Sequence, residues 1–398
     1  MWQAKIVKWI EEGEKRGILS ETDVEELKRL LKKFEEEGRL TTIHPMLYKG
    51  ILRDALDELP RTIKGVKGDI ESGVVNLLRE KTDIIDVDVK DELRGMNFLG
   101  SDASSYPLPL QAMRVAVIGG IAITLGHEDS PTLLWDKPII FPRNEIGRRE
   151  FKFLYQSKAE KLIPLATIDQ LEKYDDVEGV IIDGPLSDSL LLRRVPIGSR
   201  RSKEIQRKIK RILQGSANEL VDARDQLIRY CYKKDIPVIG VVKEPTARHF
   251  HHYYEIESKY TDAFVFHQIL KYGQRTNSIS ISKAIDKITD IPSRLSCEIY
   301  GFFIKTSINP LTHPIRVEYP AYMKDEEDWI ASYVLSTAIQ SFYPKYDGIP
   351  KVQCMADRYT RITRRVMMGI YERVILRTLR EERLNIELLS LKRGYWWM

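Results

Sequence analysis

Two stretches of this chain carry an apolar run to a single carboxylate and then pass into small residues. The first is Asn97-Phe98-Leu99-Gly100-Ser101-Asp102-Ala103-Ser104-Ser105, and the second is Gly179-Val180-Ile181-Ile182-Asp183-Gly184-Pro185. In each, β-forming residues predict a strand that ends at the Asp, with turn formers directly after it. Two such strands side by side set both carboxylates at one rim of a sheet. Hard cations such as Mg²⁺ and Mn²⁺ take oxygen ligands, usually a few carboxylates completed by water and phosphate oxygens. Two of these ions ~3.5–4 Å apart activate a water and stabilise the leaving oxygen in phosphodiester hydrolysis. The acids for that chemistry must come from several separate elements.

A third candidate is Asp357, in Cys354-Met355-Ala356-Asp357-Arg358-Tyr359-Thr360, predicted to open the last long helix after the turn Tyr343–Pro350. A fourth acid must come from the helix between the two strands, where Glu160 and Glu150 are the candidates. Lys243 closes a further β-run that starts at Ile236. A lysine there can meet a scissile phosphate as a point charge, or simply sit in a surface loop. Residues 193–211 are strongly basic, including Arg193, Arg200, Arg201, Lys203, Arg207, Lys208 and Arg211 against the one acid Glu204. Such a run either tracks a phosphate backbone or forms a solvated helix face. Phe250, Tyr253 and Tyr254 either stack on unpaired bases or belong to the core.

Other chemistries find no footing. Arg248-His249-Phe250-His251-His252 matches no zinc spacing, and there is no CxxC. The GxxxxGK[ST] of a P-loop, a Rossmann fingerprint after Gly119-Gly120, and the GxSxG of a nucleophile elbow are all missing from the sequence. The three cysteines, Cys231, Cys297 and Cys354, are sparse and odd in number, which fits a reducing compartment.

The elements that must position these residues can be read in outline. Residues 1–40 are helical in pattern, with Trp2, Ile6, Trp9 and Ile10 on one face and Ser20 as a helix cap. Residues 41–95 are mixed, with an acidic, linking character over 83–91. From Asn97 the pattern is that of an antiparallel meander: a strand to Asp102, a long run over 113–124, and a further strand within 132–141. Residues 144–174 read as a helix that Pro164 breaks or kinks. The Val180–Asp183 strand follows, then a long helix over 202–232, the Ile236–Lys243 strand, a helix over 262–272, a hairpin of strands over 296–306 and 315–319, and helices over 327–342 and 356–389. Helices alternating with strands predict a partly parallel sheet. The expected architecture is therefore α/β, with a helical N-terminal extension over 1–92 and the main domain over 93–398, the latter carrying a basic helical insertion near 193–232.

At 398 residues, 43% hydrophobic and 30% charged, the chain can bury a large core, and its net charge of +5 alone demands no nucleic acid. No apolar run approaches the ~20 residues that span a bilayer, and the start Met1-Trp2-Gln3-Ala4-Lys5 is no signal peptide. A cytoplasmic protein with no membrane association is expected. Trp2, Trp9 and the tail Tyr395-Trp396-Trp397 offer large apolar surface, which predicts a dimer or partner interface at the chain ends.

Taken in order, Gly100-Ser101-Asp102-Ala103-Ser104, Ile181-Ile182-Asp183-Gly184-Pro185-Leu186, Val241-Val242-Lys243, Arg316-Val317-Glu318-Tyr319-Pro320 and Ala356-Asp357-Arg358 resemble the NurA nucleases of archaea over roughly residues 95–380. The resemblance implies an RNase H-like mixed sheet flanked by helices. It also implies a Mn²⁺- or Mg²⁺-dependent DNA nuclease of the single-strand endonuclease and 5′–3′ exonuclease type, acting in DNA end resection and double-strand break repair. It further implies a homodimer working with a HerA-type hexameric ATPase. Carried over, Asp102 and Asp183 are similar to the strand ligands, Asp357 to the residue beside the metal on the last helix, and Glu160 (or Glu150) to the helix acid. One departure is Ala103, where the family usually has Gly, and Ala tolerates a left-handed turn poorly. That departure, with the N-terminal extension, motivates the rival expectation of a catalytically silent adaptor that binds DNA or the translocase.

Overall fold

In the computed structural model, residues 73–108, 113–198, 202–289, 291–341 and 345–361 are described, with scattered residues of the two ends. The chain divides into two compact units, Met1–Asn76 and Leu77–Met398. In the first, the described residues are helical, and Lys28 Nζ lies 2.9 Å from Glu11 Oε1. Trp2, Trp9 and residues 395–397 lie outside the described residues.

The second unit is built on an 11-stranded mixed sheet. The strands that matter for the site are β2 (Phe98–Leu108), β3 (Met113–Thr124), β6 (Gly179–Asp183), β7 (Val238–Val242) and β11 (Ile315–Pro320). The others are β1 (Ile84–Asp86), β4 (Thr132–Trp135), β5 (Ile139–Pro142), β8 (Gln274–Thr276), β9 (Ile279–Ser280) and β10 (Ile299–Ile304). Their order is β1-β8-β10-β11-β7-β6-β2-β3-β4, with β5 also on β3 and β9 on β10. β2, β6 and β7 are parallel neighbours, and the other pairings are antiparallel. The expected meander and the β10–β11 hairpin are present. The supposed acidic link over 83–91 instead contains β1 (Ile84–Asp86), which extends the sheet by pairing with β8.

Helices cover both faces. On one lie α1 (Arg148–Leu171) and α2 (Lys203–Lys234). Leu99, Val180, Ile182 and Val238 meet Ile163, Ala166, Leu227 and Ile228 there. On the other lie α3 (Glu327–Thr337) and α4 (residues 351–361). Phe98, Ile181, Ile239 and Val241 meet Tyr333, Val334 and Val352, while Ile121 and Ile123 meet Ala356. The alternation of a pleated strand sends odd and even residues to opposite layers. Buried on both faces, β6 and β7 read as unbroken apolar runs.

Three expectations need correction. β2 does not stop at Asp102 but continues to Leu108, pairing Ala103 with Gly120 and Ser104 with Gly119 of β3. The small residues that imitate a turn are strand residues on an antiparallel partner. Helix α1 runs unbroken through Pro164, because burial of its apolar stripe against β2 and β3 outweighs one lost backbone bond. α4 begins at 351, where Cys354 N donates to Pro350 O at 3.1 Å, so Asp357 sits in its second turn rather than opening it.

Glycines set how closely the helices approach. A Cβ on Gly100 would stand 2.5 Å from the Val352 carbonyl oxygen of α4, and one on Gly120 2.6 Å from Leu162 Cβ of α1. The sheet is thus thinned on each face just where the two flanking helices cross it.

Candidate metal centre

β2 and β6 run in register, with Ser101 opposite Ile182 at the end of their ladder. Asp102 and Asp183 are the next residues of the two strands, and both point to the α4 face. The close pass of α4 over Gly100 brings Asp357 to the same place. One oxygen from each of Asp102, Asp183 and Asp357 lies within 4.8 Å of the others, the only such acid cluster among the described residues. Lys243, one residue beyond β7, completes the group: its Nζ is 2.7 Å from Asp183 Oδ2 and 3.9 Å from Asp357 Oδ1. Asp183 and Lys243 thus stand at the carboxyl ends of β6 and β7, where open α/β sheets place their ligands, and Asp102 stands beside them where β2 runs on beyond its ladder with β6.

Each acid is held by specific neighbours. Asp102 Oδ2 accepts from Thr360 Oγ1 at 2.8 Å, and its Oδ1 from Ala103 N at 2.7 Å. Asp183 Oδ1 accepts from Gln353 Nε2 at 2.8 Å, and the same amide donates to Val241 O at 3.1 Å. Asp357 Oδ2 accepts from Lys345 Nζ at 2.6 Å and Tyr346 Oη at 2.9 Å, and Arg361 Nε forms an ion pair with it at 3.0 Å. Gln353, Asp357 and Thr360 are four and three residues apart, so they share one face of α4. That polar stripe is legible in the sequence as a spacing around Asp357, although only Asp357 announces itself by its chemistry.

The electrostatics follow from enclosure. Asp102 is 8% exposed, and burial pushes its carboxyl up to about 7, with repulsion from Asp183 adding to the rise. Lys243 behaves oppositely: burial alone would lower it, but the Asp183 carboxylate holds it above its ordinary value. Three carboxylates crowded this closely repel, and an all-oxygen donor set of this kind suits a hard divalent ion.

The helix acids separate clearly. Glu150, 3% exposed, is used up in local structure: its Oε2 accepts from Gly147 N at 2.5 Å and its Oε1 from Gly198 N at 2.7 Å. Glu160 lies outside the three-carboxylate cluster, on the α1–α2 side, where Arg224 Nη2 donates to its Oε2 at 2.9 Å. Its surroundings raise this half-buried carboxyl, chiefly by enclosure, against the pull of Arg224 and with the Asp183 charge adding to the rise. Arg224 also donates to Ser187 O at 2.8 Å, and Ser187 N donates to Glu318 Oε2 at 2.9 Å. Glu318 pairs with Arg316 inside β11 at 2.8 Å. The loop after Asp183, which turns at Gly184 with φ +111°, is thereby fixed from both sides. Arg224 carries no signal in the sequence, being one basic residue in a long helix.

The basic run divides. Arg193 is no surface charge: its side chain is 3% exposed and bound to Asp188 at 2.8 Å and Asp286 at 2.5 Å. Arg200 and Arg201 lie outside the described residues. Lys203, Arg207, Lys208 and Arg211 are exposed on the first turns of α2, with Lys208 3.4 Å from Glu145. They belong to the opposite helical layer from α4 and are not brought to the acids. Phe250 is fully buried against Phe266 and Phe303, so it is core, and His251 is bound to Asp262 at 2.5 Å. Among the described residues no helix is long and apolar enough to cross a membrane.

The NurA domain family matches residues 77–362. Among solved structures, that of the NurA nuclease from Sulfolobus solfataricus is similar with a TM-score of 0.57 at 12% identity, covering 85% of this chain and 98% of that one. A structure of NurA with manganese gives 0.48 at 7% identity, covering 78% and 96%. NurA bound to dAMP and manganese gives 0.45 at 10%, covering 78% and 92%. No curated protein matches the chain. The fold is shared with the first of these structures, and the family match takes in the whole sheet and every residue of the acid cluster: the chain belongs to the NurA family.

Proposed function

We propose that this protein is a metal-dependent deoxyribonuclease that hydrolyses DNA phosphodiesters at the Asp102–Asp183–Asp357 centre. The observation that carries this reading is the meeting of three acids, from residues 102, 183 and 357, within 4.8 Å. Membership of the NurA family supports it. Asp102, Asp183 and Asp357 would hold Mn²⁺ or Mg²⁺, with Glu160 as the helix acid on the α1 side of Asp183. When bound there, such ions supply an activated water and stabilise the leaving oxygen. Lys243 balances the acids and steadies the scissile phosphate as a point charge. Thr360 and Gln353 orient Asp102 and Asp183, and Arg224 ties Glu160 to the loop that follows Asp183. In the cell we assign the protein to DNA end resection, as a homodimer working with a HerA-type hexameric ATPase, on single-stranded or end-exposed DNA.

The adaptor alternative loses its main support, because Ala103 occupies an extended strand position and no left-handed turn is required of it. The test is degradation of end-labelled single-stranded DNA with and without Mn²⁺. Wild type is expected to cleave only with the metal, and Asp102→Asn and Asp183→Asn are expected to be inert while retaining a folded circular-dichroism spectrum. Cleavage by either variant at the wild-type rate would remove the assignment.

A further inference from the structure

Asp357 Oδ2 is oversubscribed. One carboxylate oxygen offers two lone pairs in its plane, yet Lys345, Tyr346 and Arg361 all converge on it, at 2.6, 2.9 and 3.0 Å. Tyr346 is the partly buried member, and Lys345 Nζ lies 5.0 Å from its ring centroid. The two cations are the solvent-facing members: the Lys345 side chain is 37% exposed and that of Arg361 51%, whereas Asp357 itself is 13% exposed. Both therefore reach from the solvent side of the centre toward an acid on its inner side.

The charges at the centre also balance. Once all three carboxyls are ionised, Asp102, Asp183 and Asp357 are matched one for one by Lys243, Lys345 and Arg361. With a divalent cation held by the three acids, Lys345 and Arg361 would no longer be needed to neutralise Asp357. Their positive charge would then be free where the two long side chains meet solvent, on the side from which an anion would approach.

We propose that Lys345 and Arg361 are substrate-positioning residues that pass from Asp357 to the phosphates flanking the scissile bond when metal is bound, making DNA affinity depend on metal occupancy. This rests on the nuclease reading of the same centre and adds to it the residues that grip the strand. A guanidinium and an ammonium on one rim suit a phosphodiester backbone without regard to base sequence.

The test uses Lys345→Ala and Arg361→Ala in the full chain, with Asp183→Asn as control. The probe is a hydrolysis-resistant phosphorothioate oligothymidine strand, and the readouts are DNA affinity across a salt series and Mn²⁺ affinity by calorimetry without DNA. Each alanine variant is expected to weaken DNA binding in Mn²⁺ by roughly tenfold and to reduce the slope of log K against log salt by about 0.7. Each is also expected to bind Mn²⁺ more tightly than wild type, because a cation competing for Asp357 has gone. That opposite sign separates the proposal from a merely structural role, in which losing a partner of Asp357 would weaken Mn²⁺ instead. Unchanged DNA affinity and salt slope in variants of a wild type that does cleave would overturn the proposal. A wild type that neither binds Mn²⁺ nor cleaves would overturn the nuclease reading itself.

Discussion

The most direct consequence of the crowded acids concerns Asp102→Asn in the absence of metal. Burial and Asp183 push the Asp102 carboxyl from 3.8 up to about 7 in the folded protein. A carboxyl raised on folding favours the native state most below its unfolded value. That contribution is lost as pH rises through about 7, because the folded protein must then hold a charge that the unfolded chain carries freely. At 1.36 kcal/mol per pKa unit, the loss between pH 4 and pH 8 has a ceiling of about 4 kcal/mol. The amide side chain of the variant would carry no charge and would avoid that loss. The attraction of Lys243 is already contained in that raised value, so only the poorer hydrogen bonding of the amide subtracts from the ceiling, and the net gain at pH 8 is ~2 kcal/mol. The local hydrogen bonds survive: the amide oxygen still accepts from Ala103 N, and the Thr360 hydroxyl keeps its 2.8 Å bond to Asp357 O.

The assay is thermal unfolding in a chelating buffer from pH 4.5 to 8.5. At a few degrees per kcal/mol for a domain of this size, the variant is expected to melt on the order of 5 °C above wild type at pH 8. The two should converge near pH 4.5. Adding Mn²⁺ should reverse the order, raising wild type and leaving the variant unmoved. The same titration makes Mn²⁺ affinity fall about tenfold per pH unit below 7, since the ion must displace a proton from Asp102. A variant that melts at or below wild type throughout, with the same pH slope, would refute the idea that this carboxyl is held at an electrostatic cost for binding a cation.

Three further outcomes are expected. Gly100→Ala forces a Cβ to within 2.5 Å of the Val352 carbonyl. It should cost ~1–3 kcal/mol and weaken Mn²⁺ binding by calorimetry, because α4 carries Asp357 and Thr360. Lys243→Met should lower the melting temperature of the metal-free protein, since it leaves Asp102 and Asp183 unbalanced, and should enlarge the stabilisation that Mn²⁺ provides; an unchanged Mn²⁺ increment would deny Lys243 its balancing role. Glu150→Gln should cost ~1–2 kcal/mol, because a buried acceptor of two backbone N–H groups is weakened, whereas Glu160→Gln should leave stability within about 0.5 kcal/mol and suppress cleavage. Equal effects of the two on stability and turnover would erase the distinction between cap and helix acid.

The parts of the fold visible in the sequence are those with strong period and clear ends. The apolar runs of β6 and β7, the long β3, and α2 between Ser202 and Lys234 are all legible. What misleads is chemistry with two meanings. Ala103-Ser104-Ser105 has the composition of a turn, yet small side chains also suit a strand opposite Gly119 and Gly120. Arg193 looks like one more charge in a basic run, and only tertiary contact with Asp188 and Asp286 makes it an internal tie. At the acid centre, Asp102 and Asp183 are readable because their strands are matching neighbours. Glu160 and Glu150 are not separable, because what divides them is which backbone N–H groups and which guanidinium stand nearby, and those come from residues tens of positions away.

The same contrast explains why the centre can be built at all. A cluster of three acids is unfavourable by itself, and no local pattern would assemble it. It forms because much larger apolar terms fix β2 beside β6 and α4 across Gly100, and the carboxylates arrive as passengers on those elements. Lys243, Lys345 and Arg361 then offset the repulsion. In the proposal above, Lys345 and Arg361 have two successive partners, the acid first and the phosphates afterwards. The stability of the metal-free centre and the grip on DNA are set by the same side chains, and a substitution that improves one is expected to weaken the other.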